Sequence, residues 1–177
     1  RPENESDVKD LLEYAISSGT SVTFRTAGTS LSGQTVTKGI IAEVVRGWKR
    51  HEILDNGAAI QLQPGVIGSR SNLYLQPYHR RIGPDPASID SAMIGGIISN
   101  NSSGMVCGVK HNSYHTLRHI RFILANGNCY DTSNANDYEK FLNVEKDLCT
   151  GLLLCRKEIE TNSTLKNKVR RKYSIKN

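Results

Sequence analysis

The apolar positions Val8, Leu11, Leu12 and Ala15 recur at helical spacing; Ser6 or Asp7 can cap that helix and Gly19 can end it. Val22-Thr23-Phe24 is a short β-prone run, followed by a Gly/Ser/Thr-rich loop over 27–37. The apolar stretch 40–45 reads as a buried strand, and 58–63 alternates until Pro64-Gly65 turns the chain. A helix is predicted over 67–75 and a rigid turn at Pro84-Asp85-Pro86. Residues 92–100 predict a helix of small residues with Gly95-Gly96 inside it. A strand over 120–124, the turn Asn126-Gly127-Asn128 and a return strand from Tyr130 form a hairpin. Helical patterns follow at 137–142 and 152–159, and Thr161-Asn162-Ser163 interrupts them before a further basic helix. Strands and helices are mixed without an internal repeat, which places the chain in the α+β or α/β class.

At 177 residues the chain can form one domain or two small lobes around an adequate core. No apolar run approaches the length of a membrane span. The charge is uneven. Of 23 Lys/Arg and 17 Asp/Glu, eight bases and two acids lie in 156–177, so the net charge of +6 belongs to that segment. A nucleic-acid-binding domain spreads its basic residues over a reading element. Here the dense basic stretch is terminal and Tyr173 is its sole aromatic, so a solvated helix face or a docking segment is the simpler reading.

Cys107, Cys129, Cys149 and Cys155 form no CxxC pair and have no His at zinc-finger spacing. At this density they read as reduced, mostly packing thiols of a cytosolic protein. Glycosylation triplets at Asn4, Asn100, Asn101 and Asn162 read as chance. The chain opens without Met, inside a helix start, and is expected to be part of a longer protein.

The loop Gly28-Thr29-Ser30-Leu31-Ser32-Gly33-Gln34-Thr35 follows a short strand. It falls one residue short of the phosphate loop of nucleotide triphosphatases, and Gln34 stands where that loop has Lys, which excludes ATP hydrolysis as a reading. It keeps what a diphosphate needs: glycines that admit close backbone approach, consecutive N–H donors, and hydroxyls on Thr29, Ser30 and Ser32. Each hydrogen bond to a charged acceptor contributes roughly 1.5–3 kcal/mol, so several could anchor a dinucleotide without a cation. On spacing alone the stretch reads equally well as an ordinary flexible loop. The Rossmann GxGxxG pattern is absent.

Two further segments add weight. In Gly83-Pro84-Asp85-Pro86-Ala87-Ser88, Pro86 restricts Asp85 to extended backbone. The run Met93-Ile94-Gly95-Gly96-Ile97-Ile98-Ser99-Asn100-Asn101-Ser102-Ser103-Gly104 passes from a helix into a polar loop. A Gly-Gly pair costs a helix roughly 2 kcal/mol against Ala-Ala, which makes sense where a flat ligand lies on the backbone, or where helices pack tightly.

The string Phe24-Arg25-Thr26-Ala27-Gly28-Thr29-Ser30-Leu31-Ser32-Gly33-Gln34, with Pro84-Asp85-Pro86-Ala87-Ser88 and the run from Gly95 to Gly104, resembles the FAD-binding domain of the vanillyl-alcohol oxidase superfamily. Within that superfamily it is most similar to D-lactate and D-2-hydroxyglutarate dehydrogenases. Gly104-Met105-Val106-Cys107-Gly108 and Arg171-Lys172-Tyr173-Ser174-Ile175-Lys176-Asn177 resemble the long branch, fused to a ferredoxin-like iron–sulfur half.

The resemblance implies an α+β fold of two lobes with FAD between them: a first lobe over 1–57, a second over 58–135, and a helical basic segment over 136–177 leading to a substrate lobe. Diphosphate binding would fall to Arg25, Ala27, Gly28, Thr29, Ser30, Leu31, Ser32, Gly33 and Gln34. The ribityl chain and isoalloxazine would meet Pro84, Asp85, Pro86, Ser88, Ile94, Gly95, Gly96, Ser99, Asn100, Asn101, Ser102, Gly104 and Gly108, and the adenine end Leu117 and Ile120. The diphosphate loop holds no His or Cys, so non-covalent FAD is expected. The i, i+4 histidines His111, His115 and His119 suggest a metal, but the family's metal histidines lie in the later substrate lobe; no metal ligand and no catalytic acid or base is assigned here. The implied parent oxidises a D-2-hydroxy acid to the 2-oxo acid and passes electrons to 4Fe–4S clusters outside these residues. A cytoplasmic or membrane-peripheral location, a small-molecule substrate and no nucleic-acid partner are expected. The alternatives are the flavin domain of a sugar or alkylglycerone phosphate oxidase, and a non-enzymatic phosphate- or nucleic-acid-binding module.

Overall fold

The computed structural model describes residues 1–105 and 108–173. Among these, two compact units form: Arg1–Leu117 with Ala125–Gly127, and Arg118–Leu124 with the described residues from Asn128 onward.

The first unit opens with helix α1 (Glu5–Ser18). Its cap is Asn4, not Ser6 or Asp7: the Asp7 N–H donates to Asn4 Oδ1 at 3.0 Å. Asp7 instead occupies the first turn, where its carboxylate accepts from the Glu3 N–H at 2.7 Å and complements the helix dipole. Gly19 ends the helix in the left-handed conformation, φ 63°. Strands β1 (Val22–Arg25) and β2 (Ile40–Glu43) pair in parallel, with Val22 opposite Ile40 and Arg25 opposite Glu43. β2 stops two residues before the apolar run does.

Strand β3 (His51–Leu54) is unannounced by its pattern and pairs antiparallel with β4 (Ala59–Leu62). Its signal is tertiary: the His51 ring stacks on Tyr74, centroids 3.7 Å apart. Tyr74 lies on α2 (Gly68–Leu75), which is followed by a 3-10 turn, Gln76–Tyr78. Helix α3 (Ile94–Ser99) starts two residues later than its composition suggests, and α4 (Ser113–Thr116) is a single turn capped by Asn112. The core gathers Val66, Ala92, Ile94 and Ile97, with Leu62, Tyr74, Ile82, Ile89 and Ile98 packed around them. One face of α3 thus anchors the helix. Its glycines lie on the other.

Pro84-Asp85-Pro86 is not a turn. Asp85 is bridged in parallel to Gly104, as the extended backbone forced by Pro86 allows, and the turn comes later, over 87–91.

In the second unit β5 (Arg121–Ile123) and β6 (Cys129–Asp131) form the expected hairpin; Gly127, which is grouped with the first unit, has φ 82° in the connection between them. Tyr130 is 2% exposed and meets Phe141 edge-on at 5.0 Å. Phe141 belongs to α5 (Ala135–Val144), and α6 (Lys146–Thr161) and α7 (Ser163–Tyr173) follow. Asn162 separates α6 from α7, at the interruption expected there. Cys129 and Cys149 are half-buried, whereas Cys155, on α6, is exposed rather than packed. Cys107, with Val106 in its motif, and the terminal residues 174–177 lie outside the described residues. No helix among the described residues is long and apolar enough to cross a membrane.

Candidate functional site

Parallel strands β1 and β2 end side by side, and the chain leaves the carboxyl end of β1 into the loop. Such strand ends are where open α/β arrangements bind ligands. Ala27, Gly28, Thr29, Ser30, Leu31, Ser32, Gly33 and Gln34 are all exposed. Gly28 and Gly33 take left-handed conformations, φ 70° and 76°, which a side chain would strain. Among the described residues, no protein acceptor receives the N–H groups of Gly28 to Gly33 or the hydroxyls of Thr29, Ser30 and Ser32. The loop is closed from its far end by the Val36 N–H on the Gly33 carbonyl at 3.0 Å. A diphosphate fits this cradle: open backbone donors, hydroxyls, and glycines where the chain bends.

The loop reaches the second motif through Thr26. A Cβ on Gly95 would sit 3.2 Å from Thr26 Cγ2 and 2.8 Å from Pro64 Cβ, and one on Gly96 would sit 3.3 Å from Thr26 Oγ1. The glycine pair therefore lets β1's exit and Pro64 come against α3. Pro64 and Val66 also fix its start: their carbonyls accept from Gly95 and Ile94 N–H, both at 2.9 Å. Gly96 stays exposed beside Ser99 and Asn100, whereas Ile94 is buried in the core.

The polar segment after α3 joins the proline motif. Asp85 N–H donates to the Ser103 carbonyl at 2.9 Å, and Met105 N–H to the Asp85 carbonyl at 2.8 Å. Gly104, at φ 74°, makes this approach possible. Ser113, 1% exposed, holds the same segment from α4; its hydroxyl donates to the carbonyls of Ile97 at 3.1 Å and Ser102 at 2.9 Å. Asn101, itself at φ 46°, accepts from Tyr114 N–H at 3.0 Å. Pro84 is buried, Pro86 and Ser88 are half-buried, and Arg81 lies 3.7 Å from the Asp85 carboxylate.

The first unit thus brings together 25–34, 84–88 and 94–104 through a chain of direct contacts. Leu117 ends α4 in the same unit, and Gly108 is half-buried at φ 112°. Ile120 belongs to the second unit, where its N–H donates to Thr132 Oγ1 at 2.8 Å. His111 and His115 fall in the first unit and His119 in the second; no group of three or more His, Cys, Asp or Glu among the described residues could hold a metal. His115 N–H and its ring both meet Asn112 Oδ1, at 2.9 and 2.8 Å. Thr26 stands in the motif quoted from the sequence, but sequence reasoning missed Glu43, Pro64 and Ser113 as parts of this assembly. None of these three carries a local signal, because each acts through a partner distant in the chain.

This arrangement is that of a flavin-binding domain. The family profile described as FAD binding domain matches residues 1–133, and the chain belongs to that family. The expected α+β fold of the vanillyl-alcohol oxidase type holds. Over 74% of this chain and 28% of the other, the structure aligns with 6-hydroxy-D-nicotine oxidase of Arthrobacter nicotinovorans at a TM-score of 0.64 and 17% identity. Glucooligosaccharide oxidase of Acremonium strictum aligns over the same shares at 0.60 and 15%. In sequence, D-2-hydroxyglutarate dehydrogenase of Escherichia coli is 29% identical over 109 residues, 61% of this chain and 11% of that protein. The Haemophilus influenzae enzyme of the same name is 28% identical over 127 residues, 71% and 12% respectively. Glycolate oxidase subunit GlcD of Escherichia coli is 32% identical over 88 residues, 49% of this chain and 18% of that protein. The chain therefore spans a small part of the curated relatives it matches, and it is related to FAD-dependent oxidoreductases.

Proposed function

We propose that these residues hold non-covalent FAD for an enzyme that oxidises a D-2-hydroxy acid, D-lactate or D-2-hydroxyglutarate, to the 2-oxo acid. The observation that carries the reading is the exposed loop 27–34, whose donors are unspent and whose glycines bend at the carboxyl end of β1. In this reading Ala27 to Gln34 bind the diphosphate through backbone N–H groups and hydroxyls. Pro84 to Ser88 and Ile94 to Gly104 form the wall for the ribityl chain and ring, with Gly96 leaving room on α3. Leu117, in the same unit, completes the adenine end. The absence of His and Cys from the loop supports non-covalent binding. The substrate class rests on the relatives named D-2-hydroxyglutarate dehydrogenase and glycolate oxidase, whose names share the 2-hydroxy acid.

Bound FAD would supply the hydride acceptor, and iron–sulfur clusters outside these residues would take the electrons onward. The role of this chain is to bind and orient. The lobe order 1–57, 58–135 and 136–177, and a substrate lobe outside these residues that contributes the base, belong to the same proposal, as does a cytoplasmic or membrane-peripheral location.

Flavin titration of the chain and of Gly28→Val tests the diphosphate site. A valine there would meet the Arg25 side chain and occupy ligand volume, so affinity should fall at least a hundredfold, about 2.7 kcal/mol. Unchanged affinity in a folded Gly28→Val protein would remove the loop from the site.

A further inference from the structure

Arg25 and Glu43 are the last register pair of the parallel β1–β2 ladder. Beyond them the Val44 N–H donates to the Arg25 carbonyl at 2.8 Å. Arg25 Nη2 donates to Glu43 Oε1, and Arg1 Nε donates to Oε2 of the same carboxylate. The Arg25 side chain then runs beneath the bend of the loop: a Cβ on Gly28 would lie 3.1 Å from Arg25 Cδ, 3.6 Å from Cγ and 3.9 Å from Nε. No charged residue occurs in 27–34, and Arg25 is the basic residue next to it. Two roles are open to such an arginine. It can bind the phosphates, or it can hold the loop that does.

We propose that Glu43 is a positioning residue for FAD: it pins Arg25, and the pinned arginine stem props the Gly28 bend in the form that the diphosphate needs. The inference rests on the reading of 27–34 as the diphosphate loop. Three features separate a strut from a ligand. The guanidinium is turned to Glu43, a neighbour across the ladder, so extension toward the phosphates would break that pair. Its aliphatic stem, not its charged end, lies closest to Gly28. The carboxylate has arginines on both oxygens, so Glu43 presents no unpaired negative charge to an incoming diphosphate.

The carboxylate must be ionised to hold both arginines. Arg25 first, and then Arg1, keep the Glu43 carboxyl below the usual glutamate range. The charged groups facing it are Arg25 from β1 and Arg1 from the N-terminal segment. Its grip on Arg25 is thus complete above the usual glutamate value, about 4.3, and is lost as pH falls through the depressed one.

The test is flavin titration of the full chain, with Gly28→Val, Glu43→Gln and Arg25→Lys side by side, from neutral pH downward. A strut predicts that Glu43→Gln weakens FAD binding about tenfold at neutral pH and shows no further loss of affinity from this group on acidification, unlike the parent chain. Arg25→Lys keeps the charge but loses the planar fork, so it should weaken binding to a similar degree. Equal or tighter binding by Glu43→Gln, or full affinity in Arg25→Lys, would show that the pinned arginine does not hold the loop, and would overturn the proposal. If Glu43→Gln fails to fold, as near-ultraviolet circular dichroism would report, Arg25→Lys and the acid limb of the parent decide between the same two outcomes. Loss of affinity in Gly28→Val without an effect in the other two refutes the strut alone. Full affinity in folded Gly28→Val refutes the loop reading itself.

Discussion

Gly104 crosses Asp85 so closely that a Cβ on Gly104 would sit 1.8 Å from the Asp85 carbonyl oxygen and 2.4 Å from Pro86 N. The contact joins two motifs 19 positions apart in the numbering, and the backbone itself makes the joint. Asp85 is extended because a proline follows it; Gly104 can be left-handed because glycine has no Cβ, and the same lack lets the Asp85 backbone approach it.

Gly104→Ala should therefore be severe. The left-handed conformation alone costs a non-glycine residue roughly 1–2 kcal/mol, and the collision with backbone adds to it. Gly19→Ala is the control, since Gly19 has φ 63° but nothing within 4 Å of its would-be Cβ. Thermal unfolding should place Gly104→Ala well below Gly19→Ala, with flavin binding lost only in the former. Similar midpoints for the two would show that the Asp85 crossing is loose.

At Gly96 stability and binding should move in opposite directions. Alanine is favoured over glycine in a helix by about 1 kcal/mol, and Thr26 Oγ1 at 3.3 Å must give only slightly. Gly96→Ala is expected to raise the unfolding midpoint of the flavin-free chain while weakening FAD. A variant both more stable and equally tight would place the ligand away from this face of α3.

Ile97 tests the anchor on the opposite face. It is 1% exposed within the core that seats α3. Ile97→Ala should cost about 2–5 kcal/mol, read by denaturant unfolding. A cost under about 1 kcal/mol would mean that the site is not seated on this cluster.

Tyr130 makes the second unit sensitive to alkali. Burial, and then the neighbouring Glu145 that accepts its hydroxyl at 2.7 Å, push the phenol up to about 12. A raised value favours the neutral form in the fold. The stabilisation is complete below about 10, the usual tyrosine value, and disappears as pH rises through the folded one. Unfolding midpoints should fall over that window, and Tyr130→Phe should flatten the fall. An equally steep decline in Tyr130→Phe would assign the alkali sensitivity to other groups.

FAD-loaded chain is expected to leave D-lactate and D-2-hydroxyglutarate unreacted. Within the site's own segments Arg25 is paired with Glu43, which also holds Arg1, and Asp85 lies 3.7 Å from Arg81. Positioning of a substrate can account for roughly 7–11 kcal/mol of a barrier, and holding a cofactor does not provide it. Anaerobic mixing while following the visible flavin band checks this. Bleaching within seconds would put the base and the substrate site inside these residues.

Much of this was legible in the chain. Gly19, the loop between Gly28 and Gly33, the turn at Gly127 and the break at Asn162 are local events, each dictated by the backbone freedom or hydrogen-bonding habit of the residues concerned. The helices of the second unit were legible as helical patterns, although α6 begins at Lys146, six residues before the expected 152; the flavin-binding family follows from ordered motifs whose residue types suit a diphosphate and a flat ring. What the sequence could not reveal lies in contacts between distant segments. β3 exists because β4 pairs with it and Tyr74 stacks on His51. Asn4 caps α1 because Asp7 is used to reach back to Glu3. Asp85 forms a bridge instead of a turn because Gly104 arrives beside it. Glu43 joins the site because parallel pairing sets it opposite Arg25. Local sequence governs φ, ψ and capping within a few residues. Register and close approach are settled only when separate elements bury a common surface, and at Gly95, Gly96 and Gly104 that surface is backbone against backbone or side chain.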